Sequence, residues 1–405
     1  MTRFFRILFL MIAMMPCVAY AFQPGYTISG IVKDKTGETI PGANVLLSGY
    51  QIGAVANNEG RYLIGKLSPG NYQVLVQMIG YLPASINVII NDKSVVADIV
   101  LTQNIRQLEE VVIRADPNRS QYLQIFRESF LGTSLNAEKT TITNPEVIKF
   151  NYDAGKRVLQ ASADEFILME NKELGYRIKY LLKYFEKDDS VNLIRYYGYP
   201  SFEDLSEPKS RQYKEKRDEA YYGSSQHFLR ALFNNTTMRE GFTIYNMEKI
   251  PNPYKLPDST LDQKIDYFTR AAIRGIIIYH GKDSLKHYSQ MKLSPDTIVQ
   301  VNSEEVDTDT LVKKEVNNLR WMNFQNKLYV IYSGENESKA YRKQSSYKVS
   351  RPRYLRDEQV SIVHQLKSPI AFYRYGTPFD PDALLFEGYW GYEKVADMVP
   401  VDYMP

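Results

Sequence analysis

The sequence predicts a mainly β protein in which a small β-sandwich over residues 22–115 precedes a strand-dominated α+β region over residues 141–405. From Tyr26 to Leu101, turn signals rich in glycine, proline and asparagine recur roughly every eight to twelve residues, which is the spacing typical of a sandwich. Beyond residue 140, segments rich in aromatic and branched residues alternate with polar positions. Tyrosine occurs 32 times in the 405 residues, which favours strands and contact surfaces.

The first 21 residues have the pattern of a secretory signal peptide. Arg3 and Arg6 precede an apolar run that ends at Val18, and Ala19-Tyr20-Ala21 supplies small residues for cleavage before Phe22. The run is shorter than the roughly 20 apolar residues that a membrane-spanning helix needs. The only cysteine, Cys17, lies inside it, so we expect a mature chain with no thiol nucleophile and no cysteine metal ligand.

The sandwich strands follow from alternation between turns. The predicted strands are Thr27–Lys33, Ala43–Ser48, Tyr62–Ile64, Tyr72–Ile79, 86–90 and 95–101. In the fourth of these, Tyr72, Val74, Val76 and Met78 share one side of the strand because side chains alternate. We expect that side to face the core.

Several motifs in this stretch resemble those of the carboxypeptidase-D regulatory-like domain. They are Gly30–Asp34, Gly37-Glu38, Ile40–Val45, Asn58–Tyr62, Pro69–Tyr72 and Ile79–Tyr81, with Gln107–Ile113 similar to the segment that follows the domain in receptors. The resemblance implies a seven-stranded, transthyretin-like sandwich. It also implies a Gram-negative envelope protein in the periplasm or outer membrane, since such domains often begin TonB-dependent receptors. The remaining residues are too few for a receptor's plug and barrel.

The second region begins after Asp116-Pro117-Asn118. We predict a linker over residues 116–140 containing a short helix, Ser120–Phe130, because its apolar residues recur at helical spacing. Strands are then expected at 149–153, 157–163, 165–170, 177–186 and 191–199. A helix from Glu207 to Tyr222 is broken at Gly223, and Ser224 caps a second helix.

Later strands are expected at 243–247, 273–279, 298–301, 327–333, 359–366, 370–375 and 384–387, with a possible helix at 308–318. Phrases such as 171–180, 197–203 and 388–391 resemble a group of secreted envelope proteins in which such a region follows the sandwich. No activity is established for that group, so the resemblance implies no functional residue.

The sequence offers little support for catalysis. None of the four histidines begins a His-x-x-Glu or His-Glu-x-x-His motif, and no Gly-x-Ser-x-Gly, Gly-x-Gly-x-x-Gly or phosphate-loop motif occurs. Without Arg3 and Arg6, 48 basic residues stand against 47 acidic ones, so no charge pattern favours nucleic acid. We therefore expect no enzyme activity, no cofactor, no metal and no nucleic-acid partner.

The expected function is a non-catalytic binding protein of the cell envelope that contacts another outer-membrane protein or a glycan. Tyr389 and Trp390 are the first candidates for binding, because Gly388 and Gly391 on either side would let a loop expose both rings. Tyr196 and Tyr197 are weaker candidates. The alternative for Trp390 is a place in the core. Two other functions stay open: an envelope hydrolase of unrecognised type in the C-terminal region, and a structural component of the outer membrane or surface layer.

Overall fold

The structure is a computed structural model that describes residues 25–104, 116–205, 210–273, 280–316, 319–344, 349–352 and 355–405. The predicted signal peptide and the segment Gln107–Ile113 lie outside the described residues. Within them, antiparallel strands dominate, so the predicted mainly β fold is confirmed. No helix in these ranges is long and apolar enough to cross a membrane.

Residues 25–104 form the N-terminal sandwich from two sheets. The first sheet has the order β4-β1-β9-β6, with β8 beside β1, and the second has the order β3-β2-β5-β7. The strands are β1 (Tyr26–Asp34), β2 (Asn44–Leu47), β3 (Gly53–Val55), β4 (Arg61–Leu67), β5 (Gly70–Gln77), β6 (Tyr81–Leu82), β7 (Ala84–Ile90), β8 (Val95–Val96) and β9 (Ile99–Gln103). Seven of the strands in this range have three or more residues, which matches the expected seven-stranded sandwich. Tyr72, Val74 and Val76 are buried between the sheets, as the alternation predicts.

A central sheet follows the two sheets of the sandwich. Its order is β10-β13-β14-β12-β11, and β15 pairs with β14. The elements are α1 (Arg119–Phe130), α2 (Leu135–Glu138), β10 (Thr140–Ile142), β11 (Ile148–Asp153), β12 (Val158–Ala163), β13 (Ile167–Asn171), β14 (Tyr176–Asp188) and β15 (Leu193–Asp204), with a 3-10 turn at Pro145–Val147. The hairpin of β14 and β15 is the longest pairing in the described chain and forms one wall of the site described below.

The predicted linker over residues 116–140 is wrong, although its helix is present. Phe126 and Phe130 in α1 have no exposed surface, and Phe126 lies 4.8 Å from the ring of Phe185 in β14. The helix therefore closes the core of the central sheet. Its apolar spacing indicated a helix but could not show what the apolar side covers.

The rest of the described chain forms a C-terminal unit around a five-stranded sheet, β17-β16-β20-β21-β23, and a three-stranded sheet, β18-β19-β22. Its helices are α3 (Ser210–Tyr221), α4 (Ser225–Asn234), α5 (Asp258–Ile273), α6 (His280–Leu293), α7 (Thr308–Leu311), α8 (Lys339–Lys343) and α9 (Tyr389–Tyr392), with 3-10 turns at Pro381–Ala383 and Val395–Asp397. Its strands are β16 (Phe242–Pro251), β17 (Thr297–Glu305), β18 (Val312–Val316), β19 (Leu319–Met322), β20 (Lys327–Asn336), β21 (Glu358–Gln365), β22 (Ile370–Tyr373) and β23 (Leu384–Gly388).

The break between α3 and α4 is as predicted. Gly223 has a φ of +78°, and the Ser224 hydroxyl accepts the backbone N–H of His227. Helices α5 and α6 were not predicted from the sequence. Ile273, which was assigned to a strand, ends α5, and residues 274–279 lie outside the described residues.

Several contacts join the sandwich to the remainder of the chain. Leu46 and Leu75 point away from the sandwich core and pack against Phe166 and Leu181 of the central sheet. The C-terminal segment then returns to the sandwich, where the backbone N–H of Val401 donates to the Gly49 carbonyl at 2.6 Å. These contacts fix the relative positions of the surfaces that form the site.

Candidate functional site

A cavity of about 1630 Å³ lies where the sandwich, the β14–β15 hairpin and the loop after β22 meet. We call it the tyrosine cleft because its walls carry Tyr50, Tyr72, Tyr184, Tyr197, Tyr199, Tyr373 and Tyr375. Its volume exceeds the roughly 300–1000 Å³ of ordinary small-molecule pockets. The cleft therefore has room for an extended ligand.

A β-bulge at Lys183 shapes one wall of the cleft. In the β14–β15 pairing, Leu182 lies opposite Gly198 and Tyr184 lies opposite Tyr197, so Lys183 is an extra residue. Before the bulge the core-facing residue is Leu182, and after it the core-facing residue is Phe185. Lys183 and Tyr184 therefore both occupy the side away from the core, which is the cleft side.

The hairpin presents a row of aromatic rings to the cleft. The ring centroid of Tyr197 lies 6.2 Å from that of Tyr184 and 5.2 Å from that of Tyr199. The Lys183 Nζ lies 5.5 Å from the centroid of Tyr199. The Tyr184 hydroxyl donates to a carboxylate oxygen of Asp382, on the 3-10 turn before β23. Ring faces and polar groups thus alternate along this wall.

The opposite wall belongs to the sandwich and the loop after β22. Tyr50 packs on Tyr72 at 5.7 Å and edge-on to Tyr375 at 6.2 Å. The Asn71 Nδ2 donates to the Tyr373 hydroxyl at 2.6 Å. The Asn71 Oδ1 is buried and has no hydrogen-bond partner among the described residues.

Burial keeps the tyrosine hydroxyls protonated. It raises the pKa of Tyr72 to about 12. It also raises the pKa of Tyr184 to about 12, with the hydrogen bond to Asp382 adding to the shift. The pKa of Tyr197 is raised by burial as well. At neutral pH these groups therefore act as neutral hydrogen-bond donors and acceptors.

The structure contradicts an exposed loop at Tyr389 and Trp390. Both lie in the short helix α9 with 9% and 5% exposed surface. The Trp390 Nε1 donates to the Gly223 carbonyl at 2.6 Å, and its ring lies 4.9 Å from Phe228. Trp390 belongs to the C-terminal core.

The conformation of Gly388 explains why the prediction of an exposed loop at Tyr389 and Trp390 is wrong. Its φ is +77°, and a Cβ at this position would lie 2.4 Å from the Val360 carbonyl oxygen. The glycine is needed for close approach of two backbones, not for exposing a loop. Tyr341, Tyr389 and Tyr392 form a buried aromatic cluster behind it.

Strand alternation places the two other predicted binding residues, Tyr196 and Tyr197, on opposite faces of β15. Tyr197 faces the cleft, whereas the Tyr196 ring lies 5.3 Å from Phe130 and packs on the core of the central sheet. Both are half-buried and border the cavity. Sequence reasoning missed Tyr50, Tyr184 and Tyr373. Only Tyr184 had a local signal, since it lies in a predicted strand facing Tyr197 across a hairpin.

Two carboxyl groups near the C-terminus also line the cavity. Burial raises the pKa of Glu393 well above its usual range, and Asp397 adds to the shift. Burial also raises the pKa of Asp397, although its carboxylate accepts hydrogen bonds from the Ser134 hydroxyl and the Asn136 side chain. In the described part of the chain, no group of three His, Cys, Asp or Glu side chains is placed to hold a metal ion.

The fold and site define a mainly β protein in which an N-terminal sandwich borders a cleft lined by aromatic side chains. Residues 28–113 match the model of the CarboxypepD_reg-like domain, so the N-terminal sandwich belongs to that domain family. The expected resemblance is thereby confirmed for this part of the chain. The second resemblance, in the C-terminal region, stays a prediction.

Among curated proteins, the chain is similar to the TonB-dependent receptor SusC of Bacteroides thetaiotaomicron. The two are 32% identical over 112 residues, which is 26% of this chain and 11% of the receptor. The chain therefore corresponds to about a tenth of the length of that relative.

Two solved structures give local matches to parts of this chain. A type II cohesin–X-dockerin complex of Acetivibrio cellulolyticus is 22% identical, covers 19% of this chain and 56% of its own, and gives a TM-score of 0.18. A putative carbohydrate binding protein from Bacteroides uniformis is 12% identical, covers 45% of this chain and 80% of its own, and gives a TM-score of 0.17. At these scores neither structure carries an argument about this chain.

Proposed function

We propose that the protein is a non-catalytic binding protein of the Gram-negative cell envelope and that its tyrosine cleft holds an oligosaccharide. The observation that carries this proposal is the convergence of tyrosine rings and neutral hydroxyls from three parts of the chain around one large cavity. Tyrosine supplies contact area at a low cost in conformational entropy.

Sugar chemistry fits these walls. A pyranose ring has an apolar face of C–H groups and an edge of hydroxyls, so it complements a surface that offers ring faces beside polar atoms. Tyr197 and Tyr199 offer ring faces. The Tyr184 hydroxyl and the Asn71 side chain lie on the same cleft walls and add polar atoms to them.

The envelope assignment is supported by the N-terminal sandwich. This domain matches the CarboxypepD_reg-like model, and the same region is similar to a TonB-dependent receptor of Bacteroides thetaiotaomicron. We place the mature protein in the periplasm or at the outer membrane. Another envelope protein stays the alternative partner, but protein interfaces are usually flatter than this concave cleft. A purely structural component would have no need of such a cleft.

One observation favours an envelope enzyme instead. The Glu393 carboxyl lines the cavity, has no hydrogen-bond partner among the described residues, and has a raised pKa. A carboxylic acid that stays protonated at neutral pH is what a general acid requires. Hydrolysis of a glycoside also needs a second, free carboxylate, and Asp397 is engaged by Ser134 and Asn136. The binding function is therefore the better supported of the two.

The test is calorimetric titration of the purified protein with four oligosaccharides: hexagalacturonate, heparin hexasaccharide, maltohexaose and chitohexaose. We expect at least one to bind, and we expect Tyr197→Ala to weaken it by up to about tenfold, since an aromatic ring contact contributes roughly 0.5–1.5 kcal/mol. The control is Tyr267→Ala in α5, which removes a ring that is 62% exposed and lies outside the cleft.

Binding by none of the four, or equal weakening by both variants, would contradict the proposal. Release of reducing ends from a bound oligosaccharide, abolished by Glu393→Gln, would replace it with the enzyme.

A further inference from the structure

We propose that the ligand of the tyrosine cleft is an acidic oligosaccharide whose carboxylate or sulfate group binds Lys183, with Arg374 beside the same cleft as a second cation. This inference rests on the proposed function and specifies its ligand class. It follows from which charged side chains in the cleft already have a partner and which do not.

Most cations on the cleft wall are paired. Arg195 is bound by Glu186, Lys149 by Asp164, and Lys367 by Asp380. Lys183 and Arg374 differ from these. Across the described ranges, neither forms a salt bridge with an Asp or Glu side chain, and both line the cleft.

A β-bulge in the backbone turns the Lys183 side chain toward the cleft. The bulge turns Lys183 to the same side as Tyr184, and the Lys183 ammonium lies over the ring of Tyr199. A β-bulge interrupts strand pairing and re-aims a side chain, and bulges are frequent beside functional sites. Burial lowers the pKa of Lys183, and no carboxylate offsets that effect. An anion arriving at this point would stabilise the charged form.

Arg374 is held at the cleft by a tight turn. The backbone N–H of Tyr373 donates to the Thr377 carbonyl at 2.8 Å, and the N–H of Gly376 donates to the Tyr373 carbonyl at 2.9 Å. A Cβ on Gly376 would lie 2.1 Å from the Gln226 carbonyl oxygen, so the turn lies directly against helix α4. A turn anchored in this way holds the Arg374 backbone beside the cleft, so that binding has to order only the exposed side chain.

Four carboxyl groups line the cleft: Glu186 is paired with Arg195, Glu393 and Asp397 lie near the C-terminus, and Asp382 lies beside the row of rings, where it would repel an anionic ligand. Asp382 accepts the hydroxyl of Tyr184, at the other end of the row of rings from Tyr199. We therefore place the anionic group at Lys183 and Tyr199, and a sugar hydroxyl near Tyr184 and Asp382.

The experiment measures the affinity of the full-length protein for the same four oligosaccharides. Hexagalacturonate carries carboxylates, heparin hexasaccharide carries sulfates, and maltohexaose and chitohexaose carry no acidic group. The variants are Lys183→Gln and Arg374→Gln. Lys183→Arg restores the charge, and Lys156→Gln is the matched control, because the Lys156 side chain is 80% exposed on a turn outside the cleft.

We expect an acidic oligosaccharide to bind more tightly than the neutral ones, with affinity that falls as salt is raised. Lys183→Gln should weaken the acidic ligand by about tenfold or more, since a charge-assisted hydrogen bond contributes roughly 1.5–3 kcal/mol. It should leave neutral ligands unchanged. Arg374→Gln should also weaken the acidic ligand, and because both side chains are exposed, added salt should reduce the effect of either variant. Lys183→Arg should retain most of the affinity.

Which acidic probe binds identifies the group as a carboxylate or a sulfate. Equal binding of neutral and acidic probes, with no effect of Lys183→Gln, would overturn this inference while leaving the proposed function intact. Failure of all four to bind folded protein would overturn the proposed function, and this inference with it. If Lys183→Gln lowers the melting temperature, the inference is tested instead by the effect of Arg374→Gln on the affinity for the acidic ligand, because Arg374 lies on a surface turn.

Discussion

Asn71 and Tyr373 are 302 residues apart in the chain, and the Asn71 Nδ2 donates to the Tyr373 hydroxyl at 2.6 Å. This contact joins the end of the sandwich strand β5 to the strand β22 of the C-terminal unit. It lies on the wall of the tyrosine cleft, so it links the relative position of the two units to the shape of the site.

Removing this contact should cost stability. Tyr373→Phe leaves the Asn71 amide without its hydroxyl partner, and we expect a loss of about 1–3 kcal/mol in the free energy of unfolding. Asn71→Ala combined with Tyr373→Phe should cost less than the sum of the single changes. Urea unfolding of the four proteins gives the coupling energy. Strict additivity would mean that the contact contributes nothing.

The contact between Gly49 and the C-terminal segment gives a second prediction. Gly49 has a φ of +82°, and a Cβ there would lie 2.5 Å from the Val401 Cγ2. Gly49→Ala should therefore destabilise the protein by more than the roughly 1 kcal/mol that alanine at positive φ costs by itself. Thermal unfolding measures the difference.

Gly37→Ala is the matched control for that prediction. Its φ is +93°, and nothing lies within 4 Å of the added Cβ, so it reports backbone strain alone. Adding Val401→Ala to Gly49→Ala should recover part of the loss. Equal destabilisation by Gly37→Ala and Gly49→Ala would show that the C-terminal segment does not press against the sandwich.

Trp390 should behave as a core residue. Trp390→Ala removes a ring packed against Phe228 and Phe386 and a hydrogen bond to the Gly223 carbonyl. We expect a loss of about 3–5 kcal/mol in stability. Trp390→Phe should cost less, because it keeps an aromatic ring. A variant that keeps its melting temperature but loses oligosaccharide binding would restore Trp390 as a contact residue.

Acid should destabilise the fold through His227. Its side chain is buried, its Nδ1 accepts the Gly223 N–H, and its Nε2 lies 2.8 Å from a Glu240 carboxylate oxygen. Burial lowers the pKa of His227 below its ordinary 6.5, despite the opposing effect of Glu240. Between the lowered pKa and 6.5, the unfolded chain binds a proton that the folded chain does not.

The stability that neutral His227 contributes is therefore present above pH 6.5 and is lost as the pH falls below it. Urea unfolding between pH 5 and 8 should show this loss in the wild type and a shallower slope in His227→Gln. The same slope in both proteins would assign the pH dependence to other groups.

The parts of the fold that local pattern decides could be predicted from the sequence. The face of β5 that carries Val74 and Val76 followed from alternation, and the Ser224 cap followed from residue type. The buried side of α1 could not be predicted, because Phe126 packs on Phe185, which is remote in sequence. The same holds for the site. Tyr50, Tyr197 and Tyr375 come together only through tertiary packing.

The bulge at Lys183 has no local signature, since a strand with one extra residue reads like any other strand. The error at Trp390 has a different origin. Flanking glycines permit either an exposed loop or a close backbone contact, and only the position of Val360 next to Gly388 decides between them.

Hydrogen–deuterium exchange tests most directly that the tyrosine cleft is the binding site. The protein is compared with and without the tightest-binding of the four oligosaccharides. We predict slower exchange in the hairpin of Tyr176–Asp188 and Leu193–Asp204 and in the turn at residues 373–377, because binding there suppresses local opening. Helices α5 and α6 should be unchanged. Protection confined to those helices, or to the sandwich surface away from Tyr50 and Tyr72, would contradict the account.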